Sequence, residues 1–221
     1  MPLNLHPAVW RASERCGTAS QTISTQHPSL DRWLPGQGWP LGSLIEILHP
    51  SAGCGEIELV APALASLQGS LPIVLLQPPL IPNAPAWQQW QIDSKRLWWV
   101  QPRDLRDTWW CAEQILRSQS FAALLCWADP VTAPTLRRLH LCAQESSTLF
   151  FMFRPAQVSF SFSPAVLRIE LAHRQDQGWS VDLLKCRGPK PPSSLILSAL
   201  RAEPFEAMHH APVDRLASQP A

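Results

Sequence analysis

The residues best suited to chemistry lie in the turn His49-Pro50-Ser51-Ala52-Gly53-Cys54-Gly55-Glu56, between an apolar strand-like run and a helical pattern. Glycines in such a turn let backbone N–H groups face an anion. The pattern GxxxxGK[ST] uses this for a nucleoside triphosphate, with a Lys to neutralise the β and γ charge and a hydroxyl to hold magnesium. With Gly55 aligned to the last Gly of that pattern, Pro50 stands at the first Gly, Glu56 at the Lys and Ile57 at the hydroxyl. A shift of register by one residue supplies no Lys either. A carboxylate facing a triphosphate is repulsive, and no hydroxyl remains for the metal. The Asp that should order magnesium at the end of a later strand is also missing: Trp127 ends the run Phe121 to Trp127, and Asp129 comes two residues late, before Pro130. Pro50, Gly53, Gly55 and Glu56 therefore read as a degenerate phosphate loop, with Trp127 at the degenerate metal position. No cofactor, no metal and no catalysis are expected.

Other chemistries fit less well. Pro50-Ser51-Ala52-Gly53 resembles part of the nucleophile elbow GxSxG, and Asp129 and His173 follow in the order of a hydrolase triad. His173, however, falls in a polar hairpin turn on this reading. His209-His210 lacks a Cys, Asp or Glu partner at metal-ligand spacing.

The elements that position the turn follow from the apolar pattern. Strand-like runs alternate with helical ones, the signature of an α/β fold on a mostly parallel sheet. Ser43 to Leu48 predicts the first strand and Glu56 to Leu67 the helix after the turn. Pro72 to Leu76 predicts the second strand, followed by a Pro-rich loop and a helix around Ala84 to Trp90. Leu97 to Val100 is short and aromatic, and Asp104 caps a helix with Leu105, Trp109, Ala112, Ile115 and Leu116 at helical spacing. Phe121 to Trp127 reads as a central strand buried on both faces, Thr135 to Glu145 as a helix, and Thr148 to Phe153 as another buried strand. Val166 to Leu171 and Trp179 to Leu184 flank a polar turn, predicting a C-terminal antiparallel hairpin that closes the sheet.

With 221 residues, 46% of them hydrophobic, and a mean hydropathy of -0.05, the chain fits one well-filled core with extensions. Residues 1–27 read as an N-terminal arm, 28–188 as the domain, and 189–221 as a Pro-rich disordered tail whose best helix candidate is Leu195 to Ala202. The net charge of +1 provides no field that would draw the whole molecule onto nucleic acid or an anionic membrane. DNA contact is thus expected to be weak or indirect, through Arg137 and Arg138 on one helix and Lys185, Arg187 and Lys190 after the last strand. No apolar run nears the roughly 20 residues of a bilayer span, and Met1 to Trp10 lacks the regions of a signal peptide. The expected location is the cytoplasm. Six scattered Cys without a CxxC pair predict small buried thiols rather than disulfides or zinc. Eleven Trp with no Tyr suggest large buried or partner-facing surfaces.

From Leu30 to Gly188 the chain resembles a known family. The block Leu34-Pro-Gly-Gln-Gly-Trp-Pro-Leu-Gly-Ser-Leu-Ile-Glu-Ile-Leu48 is similar to the entry to a RecA-like core, and Leu183-Leu-Lys-Cys-Arg-Gly188 to a late strand of that core ending in basic residues. With His6-Pro-Ala-Val-Trp-Arg11 and Phe151-Met-Phe-Arg-Pro155, the pattern resembles the ImuA family of RecA-like translesion-synthesis accessory proteins, and also the related SulA cell-division inhibitors. The N-terminal segment and long Pro-rich tail favour the former. The resemblance implies a RecA-like fold and a role in SOS-induced mutagenesis. It further implies action with ImuB, an error-prone DnaE-type polymerase and RecA, with self-association possible; the SulA branch would imply FtsZ as the target. Trp10, Arg11, Leu195, Ile196, Leu200 and Phe205 are the partner-binding candidates, the last four because they cluster and because Ile196 and Leu200 would share a helix face.

Overall fold

The computed structural model describes residues 21–174, 178–186 and 194–197. Its centre is strand β3, Ser43–His49, in which all seven residues are buried, as a strand covered by helices on both faces must be. Around it lies an eight-stranded sheet in the order β10-β9-β8-β3-β7-β6-β4-β5. Here β4 is Ile73–Leu76, β5 Leu97–Val100, β6 Ala123–Trp127, β7 Leu149–Pro155, β8 Leu167–Arg174, β9 Gly178–Lys185 and β10 Leu195–Leu197. The pairings from β5 through β8 are parallel; β8 with β9 and β9 with β10 are antiparallel. The protein is thus α/β with a mostly parallel sheet and a C-terminal antiparallel hairpin.

Alternation along β3 separates two apolar clusters. Ile45 and Ile47 point to one side, with Leu75, Leu125 and Phe151, under helix α2 (Glu56–Ser66) and helix α3 (Ala84–Gln89). Leu44 points to the other, with Val74, Leu124, Phe150 and Met152, under helix α4 (Leu105–Ser118) and helix α5 (Ala133–Gln144). Each large side chain so enclosed contributes about 1.5–3 kcal/mol relative to leaving it in water. The helix starts are set by their caps: Asp104 accepts from the Asp107 N–H, and Thr132 from the Thr135 N–H.

Glu46 is an exception to the apolar pattern. It sits in mid-strand on the α4 and α5 side with no exposure, between Arg154 of β7 and Arg168 of β8. Arg154 Nη1 donates to its Oε1 at 3.1 Å, and Arg168 Nε contacts its Oε2 as an ion pair off the hydrogen-bond axis. Arg154 also holds Asp129, Nη2 to Oδ1 at 3.1 Å, while Arg168 donates to the carbonyls of Val158, Ser159 and Ser161. Every buried charge of the group is therefore paired, as a low-dielectric interior requires.

Two expectations about the ends are corrected. Thr22–Ile23 (β1) pairs with Trp39–Pro40 (β2), while Ser24 and the Thr25 N–H are anchored on the Asp31 carboxylate of the short helix α1, Pro28–Asp31. Residues 21–27 therefore belong to the fold rather than to an arm, because the ribbon, Asp31 and the Ser24 and Thr25 hydroxyls bond their backbone. Leu195–Leu197 is not helical but the strand β10, paired with Trp179, Ser180 and Val181. Period-two alternation wins there: Leu195 and Leu197 pack on the α2-side cluster and Ile196 faces out. Ile196 thus has no helix face to share with Leu200, which lies outside the described residues.

Candidate functional site

The turn between β3 and α2 sits at the C-terminal edge of the parallel strands, where open α/β sheets place their ligand crevice. Gly53 and Gly55 both adopt positive φ, +78° and +93°, which glycine takes at no steric cost. Gly55 is the N-cap of α2 and provides no side-chain cap. Glu56, the next residue, is 2% exposed and turns its carboxylate back over the loop, where Oε1 accepts from the Gly53 N–H at 2.8 Å. A carboxylate in the first turn also lies in the positive end of the helix dipole. The anion in this loop is therefore the protein's own.

Trp179 closes the same loop from the hairpin. Its ring lies so close to Gly55 that a Cβ there would stand 2.4 Å from Cζ2. The indole is held edge-on by His173, with centroids 4.9 Å apart. Burial raises the Cys54 thiol above its usual range, so it is a poor nucleophile.

Compared with known protein families and with curated proteins, the chain matches none. What the site can do therefore rests on its own geometry.

Beside the loop opens a pocket of about 180 Å³, bounded by Gly53, Glu56 and Ile57, the Pro-rich segment 78–82 with its exposed Leu80 and Ile81, and the rings of Trp87, Trp90 and Trp127. Trp127 stacks on Phe153 at 4.5 Å, so the end of β6 presents an indole rather than a carboxylate. Asp129 does not substitute for it, being turned to Arg154.

The predicted site residues do not all converge. Gly53, Glu56 and Trp127 line the pocket and Gly55 lies under Trp179, whereas Pro50 is exposed. Arg137 and Arg138 lie exposed on α5, with Arg138 ion-paired to Glu113 of α4. Lys185 lies on β9 and donates to the Ser163 carbonyl at 2.8 Å; burial and the neighbouring Arg168 lower its pKa. Among the described residues the basic groups thus lie on separate elements, Arg137 and Arg138 on α5 and Lys185 on β9, with Arg138 and Lys185 each already bound to a partner. His173, expected in the hairpin turn, belongs to β8 and packs on Trp179, while Asp129 binds Arg154, so the two are committed to other partners. Trp10, Arg11, Arg187, Lys190, Leu200, Phe205, His209 and His210 lie outside the described residues.

Sequence reasoning missed Trp179, because a Trp after a Gly in a strand pattern does not say which glycine it will cover. It also missed the partners of Glu46. A signal existed there: a carboxylate inside the apolar run SLIEIL must find a cation if the strand is central.

Proposed function

We propose that the chain is a non-catalytic RecA-like accessory protein of SOS-induced, error-prone translesion DNA synthesis, working through protein contacts as the ImuA family does. The observation that carries the non-catalytic part is the Glu56 carboxylate bound to the Gly53 N–H. A working phosphate loop offers such N–H groups to phosphate; here the donor is occupied by a fixed negative charge, and Trp179 lies over the glycine beside it. The mostly parallel strand order and C-terminal hairpin are compatible with a RecA-like core. The translesion assignment rests on the sequence resemblance, through Leu34 to Leu48, Phe151 to Pro155 and Leu183 to Gly188. The partners it implies are ImuB, an error-prone DnaE-type polymerase and RecA.

Calorimetry with ATP and magnesium tests the first part, with no heat of binding expected. Micromolar affinity that depends on Gly55 would make the chain an active P-loop ATPase instead. Capture of partners from damaged cells tests the second: ImuB or RecA is expected, and FtsZ in their place would assign the chain to the SulA-like inhibitors. DNA affinity is expected to be weak and salt-sensitive, and nanomolar binding to single strands would contradict the reading.

A further inference from the structure

The segment between β7 and β8 carries two phenylalanines in water: Phe160 is fully exposed and Phe162 is 72% exposed. Single apolar residues at a surface are ordinary, but these two are presented together on a backbone that is held. The carbonyls of Ser159 and Ser161 accept from Arg168 at 3.1 and 2.9 Å, and that of Ser163 accepts from Lys185 at 2.8 Å, so the residues flanking both rings are tied to the sheet. Arg168 stands opposite Glu46 and shares its face, which puts the segment on the α4 and α5 side. The pocket beside the turn lies on the other side, since Leu75 and Trp87, which line it, belong to the α2-side cluster. It is lined in part by the exposed Leu80 and Ile81, and by no Lys or Arg; Oε2 of Glu56, its one carboxylate, is shielded. The volume of about 180 Å³ is near that of cavities of about 150 Å³ that hold one benzene ring, the ring of a phenylalanine side chain.

We propose that the pocket receives Phe160 of a second copy of this chain, with Phe162 of that copy lying against Leu80 and Ile81. Within one molecule the sheet stands between the phenylalanines and the pocket, so the contact forms only between copies. The two surfaces are different, which makes the contact head-to-tail: each copy that joins brings a further pocket and a further pair of rings, and the product grows as an open chain or closes into a ring. The fixed backbone under Phe160 and Phe162 leaves little ordering to be done on contact. One aromatic anchor with a small apolar rim belongs at the weak end of protein contacts, with Kd of about 100 μM. The inference stands on these two surfaces and is independent of the translesion reading.

Sedimentation velocity of the full chain between about 5 and 500 μM tests it, and the mean mass is expected to rise beyond two chains over that range. One variant carries Phe160→Ser, and another carries Leu80→Asp with Ile81→Asp. All three positions are exposed, so both variants should keep the unfolding midpoint of the parent, and each alone should stay monomeric. Mixed in equal amounts they should pair, because the first keeps an intact pocket and the second an intact Phe160, and growth should stop at two chains. A parent that stays monomeric overturns the inference. So does association that either variant leaves unchanged, or a mixture of the folded variants that does not pair. The blocked peptide of residues 159–163 separates the sources of the ring. It should disperse the assembled parent, whereas a monomeric parent that binds the peptide would give the pocket to a different protein's side chain and overturn the second copy as its occupant.

Discussion

Gly55→Ala perturbs the site at its tightest point. At φ +93° an L-residue carries left-handed strain of about 1–2 kcal/mol. Its Cβ would also stand 2.4, 2.6 and 2.7 Å from three atoms of the Trp179 ring, where van der Waals contact begins near 3.4 Å. The ring packs edge-on with His173, so relief requires the indole or the hairpin to shift, an overpacking cost of about 1–3 kcal/mol. Together the two effects predict a loss of about 2–5 kcal/mol. For a chain of this length that lowers the unfolding midpoint by roughly 4–20 °C. The assay is a double-mutant cycle with Trp179→Ala, followed by urea unfolding. Removing the indole abolishes the clash but not the strain, so the double variant should be more stable than the sum of the singles implies, by about 1–3 kcal/mol. Strict additivity, or a Gly55→Ala variant as stable as the parent, would refute the contact between ring and loop.

Three further outcomes are expected. Glu46→Leu leaves Arg154 and Arg168 facing each other in the interior and should cost about 3–5 kcal/mol in urea unfolding, most of it regained when both Arg are replaced by Met; a neutral single substitution would mean that the cluster is hydrated. His27, whose Nε2 lies 3.3 Å from the Leu59 carbonyl, has its pKa lowered from 6.5 by burial, so the unfolded chain takes up the proton first. The stability it contributes is present above pH 6.5 and is lost as pH falls through 6.5 towards the folded value. The difference between the parent and His27→Gln should therefore change between pH 7.5 and pH 5.5, and a flat difference would contradict it. Cys126, with a thiol pushed up to about 12 by burial, should escape alkylation at pH 8 until urea unfolds the chain, while Cys54 and Cys111 react slowly; mass spectrometry of the labelled peptides checks the order.

Elements whose sequence signal is local were legible. Glu56 to Ser66 begins where the turn glycines end, Leu105 to Ser118 where Asp104 caps it, and the strands from Ser43 to Phe153 follow the apolar runs to within two residues. That an acidic residue follows the turn glycines was legible for the same reason, since Glu56 is a fact of residue type. What the sequence did not disclose depends on contacts distant along the chain. Trp179 and Gly55 are 124 positions apart, and their meeting follows from the hairpin lying beside β3, which no periodicity records. The three Trp of the pocket were visible as aromatic content, but their convergence comes from the Pro-rich segment 78–82 bringing α3 to the end of β6. Leu195–Leu197 misled because three apolar residues among prolines carry no period long enough to separate strand from helix.

The cluster around Glu46 has a consequence for how the strands find their alignment. In the parallel ladder Glu46 stands opposite Met152 and Arg168, two residues before Arg154 on the same face. If β3 slid by one residue, the carboxylate would turn to the α2 side among Ile45 and Ile47, with no cation in reach. A slide by two residues would keep the face but carry it about 6.6 Å along the strand, away from at least one guanidinium. An all-apolar strand would accept that second error at little cost, because Leu, Ile and Phe fill one another's places tolerably. Glu46 thus works as a frame marker, rejecting misaligned sheets that hydrophobic burial alone would admit. The pair β4 and β6, IVLL against ALLCW, carries no such mark, so its alignment has to be inherited from the strands already set beside it.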